Sequence, residues 1–223
     1  MDVSVVYYGL RDLLSDETTP DPNHILRPPY KNARGIDQIL QGKIAKYIGQ
    51  VLGKRGSEVK HHLALPLFSA GKLRIRNGGD TFRTKQVAHR SGNTARRNCY
   101  VKVVFETCTG VITTVSYGDL EKIFVLTIPT DDFFAKLGGE TIALALITPW
   151  DTAGKDATKE NVYITSRKAS IVTDVRSLKA VVGLVETRKR WGVIDRVLGA
   201  VAPSFAEGTG EEDESNDDTI QVV

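Results

Sequence analysis

The sequence predicts a mostly β protein: a small antiparallel barrel, closed or partly closed, with an amphipathic helix on its N-terminal flank. Three observations carry that reading. Beyond residue 70, short apolar or alternating runs recur at close spacing, broken by Gly, Pro, Asp and Thr, the pattern of many short strands rather than of helices. Two alternating stretches flank Asn77-Gly78-Gly79-Asp80, a tight-turn sequence that supplies left-handed backbone positions. One stretch, residues 35–52, instead repeats its apolar residues every three or four positions, which places them on one face of a helix.

Taken in order, the chain begins with a lead segment, residues 1–32. It opens on a β-branched and aromatic run, Val5-Val6-Tyr7-Tyr8, and passes into SDETTPDPNHILRPPYKN, which holds four of the eight prolines. That composition predicts an extended strap on the surface. Residues 33–62 form the second unit. Ile36, Ile39, Leu40, Ile44, Tyr47, Ile48, Val51 and Leu52 make the apolar face of its helix, opposite Lys43, Lys46 and Gln50. Asn32 is the expected cap and Gly53 the expected stop. Gly42 and Gly49 each cost a helix about 1 kcal/mol relative to Ala, so tertiary packing must sustain it. KRGSEVKHH follows as a basic connection.

The barrel is expected over residues 63–200. Leu73 and Ile75 alternate with Arg74 and Arg76, so one strand face can be buried while the arginines project from the other. After the hairpin turn a second strand is expected over 81–88, then a polar basic loop, HRSGNTARRN. A third strand over 100–105 and a fourth over 111–117 flank Gly110. Further strands are read in EKIFVLTIP, ETIALALITPW, NVYITS, ASIVTDV, LKAVVGLVE and WGVIDRVLG, with a helical turn near 133–137. Residues 201–223 are expected to be a disordered acidic tail.

Charge gives the main functional hint. Between Lys72 and Lys102 nine Lys or Arg face a single acid, Asp80. The tail carries seven acids and no base, so a body of formal charge +10 is hidden behind the overall +3. A basic body with an acidic tail points to nucleic acid or chromatin. The residues expected to line a phosphate backbone are Arg74, Arg76, Arg83, Lys85, Arg96 and Arg97. The alternative is a basic strand face that serves solubility and edge protection. Arg188-Lys189-Arg190 before Trp191 forms a second basic cluster with an aromatic neighbour.

Catalytic and metal chemistry find little footing. Adjacent His61 and His62, with Cys99 and Cys108 nine apart, lack the spacing of a zinc site. Asp80, Asp119, Asp131, Asp132 and Asp174 are the candidates for a metal-dependent nuclease, but Asp80 and Asp119 suit turns and Asp131-Asp132 a helix start. No Gly-x-Ser-x-Gly elbow or Walker-type loop occurs. The reading is therefore non-enzymatic, with no cofactor and no metal. Two cysteines are too few for a disulfide framework, the first residues do not read as a signal peptide, and no apolar run approaches the ~20 residues of a membrane span. An intracellular protein without a membrane partner is expected. A second candidate site is an aromatic cage for methylated lysine, drawn from Tyr117, Trp150 and Trp191.

The order GKLRIRNGGDTFRT, ARRNCYVKVVFE, VSYGDLEKIFVLTIP, ETIALALITPW and SIVTDVRSLKAVVGLVETRKRWGVIDR, covering roughly residues 65–197, resembles the C-terminal region of Plavaka-type transposase-like proteins of mushroom-forming fungi. That region is similar to a bromo-adjacent-homology β-barrel, with Tyr117-Gly118 opening a core strand and Val175-Arg176-Ser177-Leu178 as the turn before a late strand. The resemblance implies a nuclear, transposon-derived module associated with DNA or chromatin. The chain carries no transposase catalytic core, so transposition is not carried over. The expected function is sequence-independent contact with the phosphate backbone. The competitors are a histone-reading or complex-assembly module and a nuclease remnant.

Overall fold

The computed structural model describes residues 23–32, 36–63, 68–76, 79–90, 98–106 and 113–195. The expectations for residues 1–22, for Arg96 and Arg97, and for the tail at 201–223 lie outside them.

A long strand, β5 (Thr113–Thr127), organises the main sheet. Its first half pairs antiparallel with β4 (Tyr100–Glu106), from Glu106↔Thr113 to Tyr100↔Asp119. Its second half pairs with β6 (Thr141–Pro149), from Gly118↔Pro149 to Thr127↔Thr141. Residues 123–125 also pair with β2 (Phe68–Ile75), which carries β1 (His24–Asn32) and β3 (Thr81–Arg83). Where its flanking layers meet, β5 is buried on both faces. Leu120, Ile123 and Val125 join Leu26, Leu73, Phe82, Val101, Val103 and Leu178 in one core. Phe124 and Leu126 join Leu40, Ile44, Ile48, Val59 and Phe134 in the other. The near-continuous apolar runs of EKIFVLTIP and ETIALALITP follow from this two-sided burial, each fully buried Leu, Ile or Phe contributing about 1.5–3 kcal/mol.

The sheet is antiparallel but is not closed into a barrel. Strand β8 (Ile171–Asp174) pairs with β6, and β9 (Leu178–Val181) pairs with β4, so one segment of chain reaches both sides of the β4–β5–β6 meander. Between them lies a 3-10 turn, Val175–Ser177, fixed because the Asp174 carboxylate accepts the Arg176 N–H at 2.8 Å. Coiled residues cannot extend a ladder, and pairing stops there. A second sheet, β10 (Gly183–Thr187), β11 (Arg190–Ile194) and β7 (Val162–Ile164), packs on the first through Tyr117, Trp150, Val162, Val182 and Val193.

Helix α1 (Gln38–Leu52) covers the outer face of β5 and β6. It starts later than expected: Asp37, not Asn32, caps it by accepting the Leu40 N–H at 2.6 Å, and Asn32 ends β1 instead. Gly53 stops it in the left-handed conformation, as expected. Ile39 and Val51, assigned to the apolar face by spacing, are exposed. The basic connection is a helix, α2 (Gly56–His62). A Cβ on Gly49 would lie 2.7 Å from the Lys54 carbonyl, so that glycine allows the tight α1–α2 turn. The strand expected over 81–88 ends at Arg83, and α3 (Lys85–Arg90) follows, with the Val87 and Ala88 N–H groups returning to the Thr84 carbonyl. Over 24–32 the lead segment is extended and mostly exposed, but as a strand, β1, which pairs along β2 at the sheet's edge, where its prolines cost no ladder hydrogen bond.

Candidate nucleic-acid interface

The register of three strands builds one basic face. Leu26, Leu73 and Phe82 lie opposite one another and are all buried. Side chains alternate along each strand, so the neighbouring rows point away from the core. One of those rows is Arg27, Lys72 and Arg83, directly opposite across β1, β2 and β3. The next is Ile25, Arg74 and Thr81. Four cations therefore share a face across strands about 4.8 Å apart.

Among the described residues none of these four forms an ion pair. The Arg83 Nε is buried without a hydrogen-bond partner, so this side chain lies partly under the face rather than standing free of it. Like charges directly opposite destabilise a sheet by roughly 0.2–1 kcal/mol per pair. The Arg27–Lys72–Arg83 row contains two such pairs.

The six cations proposed from sequence are thus only partly united. Arg74 and Arg83 sit on this face, and Arg76 follows β2 at the bend that leads into the turn. Lys85 opens α3 and is spent on Glu121, 3.1 Å away. Arg96 and Arg97 lie outside the described residues. Arg27, hidden in what read as a proline-rich strap, belongs to the face and was missed; alternation across Leu26 was its only signal. A cleft of about 570 Å³ opens beside Ser69, Ala70 and Gly71, with Lys31, Lys85, His89 and Lys122 in its lining and Asp37 and Glu121 as its acids.

Lys102, counted in the basic stretch, is not available. Its ammonium lies 2.7 Å from Asp195 and 3.6 Å from Asp156, within a cluster where Asp195 is only 1% exposed. The Tyr117 hydroxyl donates to the same carboxylates, at 2.9 Å to Asp195 and 3.2 Å to Asp156, and accepts the Ala157 N–H at 2.9 Å. Burial raises the Tyr117 pKa well above its ordinary value, with the two carboxylates adding to the effect of Asp195 bonding. For Asp156 burial acts upward, but bonds from the Thr158 N–H and hydroxyl and the Lys102 charge outweigh it and hold the carboxyl below its usual range. The cluster ties β4 and β5 to the segment around residue 156 and to the end of β11.

The aromatic cage is not formed. Tyr117 and Trp150 are buried core rings, and Trp150 Nε1 donates to the buried Asp119 at 3.2 Å. Of the three only Trp191 is exposed, on the smaller sheet. Asp119 is likewise not in a turn: it lies inside β5 and also accepts from the Arg167 Nε at 3.0 Å. Three of the other candidate carboxylates have partners within the fold. Asp80 accepts the Val181 N–H, Asp174 caps its 3-10 turn, and Asp131 caps Asp132–Leu137 while meeting His62 at 3.2 Å. Among the described residues no three His, Cys, Asp or Glu gather as a metal-holding group. Comparison with protein-family models, curated proteins and solved structures gives no match to this chain.

Proposed function

We propose that this protein binds nucleic acid, DNA in the first instance, through the β1–β2–β3 face and without regard to base sequence. The observation that carries the reading is the Arg27–Lys72–Arg83 row beside Arg74. A fold gains nothing by aligning three like charges across adjacent strands, whereas a phosphate backbone turns that repulsion into attraction and releases its counterions. Solubility would be served as well by mixed charge along the same strands. The reading is of a binding module.

An open variant of the bromo-adjacent-homology type of β-fold is the finer architecture we infer, and the resemblance to transposase-like C-terminal regions would place the protein on nuclear DNA. Support comes from Leu178, which opens β9 directly after the Val175–Ser177 turn, and from Gly118, whose absent side chain lets β5 approach Thr148. Tyr117-Gly118, however, sits inside β5 rather than at its start.

The test is duplex binding by gel shift for wild type, Arg27→Ala and Arg74→Ala. Both variants are expected to weaken binding about fivefold at 0.15 M salt, the worth of one phosphate contact. Unchanged affinity in both would remove the proposal.

A further inference from the structure

The β10–β11 hairpin closes through Arg188 and Lys189, both with positive φ, 51° and 61°. A two-residue hairpin loop with both central residues left-handed strongly favours Asn-Gly, because a Cβ is crowded in that backbone. Here two long cations occupy it. Arg190 follows and lies over the Tyr163 ring, 4.6 Å from its centroid. None of the three makes an ion pair with a described residue.

Trp191 comes next, and the strand's alternation puts it on the opposite face from Arg190. Val193, two residues on, is buried in the core on that same face, but Trp191 stands beyond the core and is 45% exposed. The hairpin tip thus combines consecutive cations, held in a backbone that costs stability, with an indole open to solvent. A purely solubilising tip would need neither the indole nor cations at the strained positions.

We infer that the hairpin is a second contact site, for single-stranded nucleic acid, in which Trp191 stacks on an unpaired base while Arg188 and Lys189 hold the flanking phosphates. The single strand is the occupant because a stacking ring needs a base face that a duplex keeps covered. The inference takes its ligand class from the function proposed above, but its residues are separate, so the two can fail separately.

Trp191 is also the probe, since the chain's other tryptophan, Trp150, is 1% exposed. The full chain is titrated with a 12-nucleotide oligo-dT and with a 12-base-pair duplex while tryptophan emission is followed. The single strand is expected to quench, and the duplex not. Trp191→Phe should retain binding and lose the quench, and Trp191→Ala should weaken it roughly 5- to 150-fold. Combining Arg188→Asn with Lys189→Gly should leave the melting temperature equal or higher, yet weaken single-strand binding about 15-fold at 0.15 M salt. An absent quench, equal quenching by duplex, or unchanged affinity in that double variant would overturn the hairpin site. If single-strand affinity then falls only with Arg74→Ala, the strand lies on the β1–β2–β3 face and the proposed function stands. If neither oligonucleotide binds at 50 mM salt, both readings are overturned.

Discussion

Replacing Lys72 with Gln should make the protein more stable and a poorer binder at once. Lys72 lies between Arg27 and Arg83, so the change deletes two directly opposed like-charge pairs. At roughly 0.2–1 kcal/mol per pair the gain is about 0.4–2 kcal/mol, and Gln keeps most of the aliphatic stem on the sheet. For a chain of this size 1 kcal/mol moves the melting temperature by about 2–4 °C. The same change removes one phosphate contact, which lowers the slope of log K against log salt by about 0.9 and costs about fivefold in duplex affinity at 0.15 M salt. Thermal melts and fluorescence anisotropy on one preparation read both effects. A stabilised Lys72→Gln protein with undiminished affinity would refute the reasoning, because the repulsion would then be present without the ligand said to explain it. A destabilised variant would refute the cross-strand charge argument itself.

Gly118→Ala should cost about 1–3 kcal/mol in denaturant melts, since its Cβ would meet the Thr148 carbonyl at 2.6 Å and Pro149 Cα at 3.1 Å; a neutral change would show that β6 gives way easily. Lys102→Met should be more damaging than Tyr117→Phe, about 3–5 against 1–3 kcal/mol, because the first leaves the Asp195 carboxylate buried without its cation, whereas the second removes a neutral hydroxyl that donates to the carboxylates and accepts the Ala157 N–H. The reverse order would mean that the hydroxyl, not the ammonium, holds the cluster. Tyr47 ionises at its ordinary value near 10 in the unfolded chain but is pushed up to about 12 in the fold, chiefly by burial and then by Asp174. The unfolded state therefore loses its proton first, and stability should fall as pH rises from 10 toward 12. Tyr47→Phe should make that limb shallower in pH-dependent melts without abolishing it, since Tyr117 and Tyr30 are raised as well; an unchanged limb would refute the assignment to Tyr47.

What the sequence made legible was whatever repeats locally. The alternation around Leu73 and Ile75 located β2 and sent Arg74 outward, and β3 pairs antiparallel with β2 as the expected hairpin requires. The period of 35–52 gave α1, although Ile39 and Val51 are exposed, because helical spacing cannot tell which edge of a face the neighbouring sheet covers. Pairings between distant segments were not legible. Arg27 meets Lys72 only through the β1–β2 register, and proline-rich composition argued against any strand there. Lys102 looked like one more surface cation because Asp156 and Asp195 lie far along the chain. Trp150 and Tyr117 looked available for a cage since an aromatic residue's burial leaves no mark in its own neighbourhood. The interruption between β8 and β9 was as hard to read: one carboxylate, Asp174, caps a three-residue 3-10 turn inside a stretch whose apolar runs looked continuous.

The central claim, that the β1–β2–β3 face meets a phosphate backbone, is tested most directly by the salt dependence of duplex binding. Four cations, Arg27, Lys72, Arg74 and Arg83, predict a slope of log K against log salt of about −3.6, or a roughly 150-fold loss of affinity between 50 and 200 mM. Removing Arg27 should bring the slope to about −2.7. A wild-type slope near zero, or one that Arg27→Ala leaves unchanged, would contradict the account.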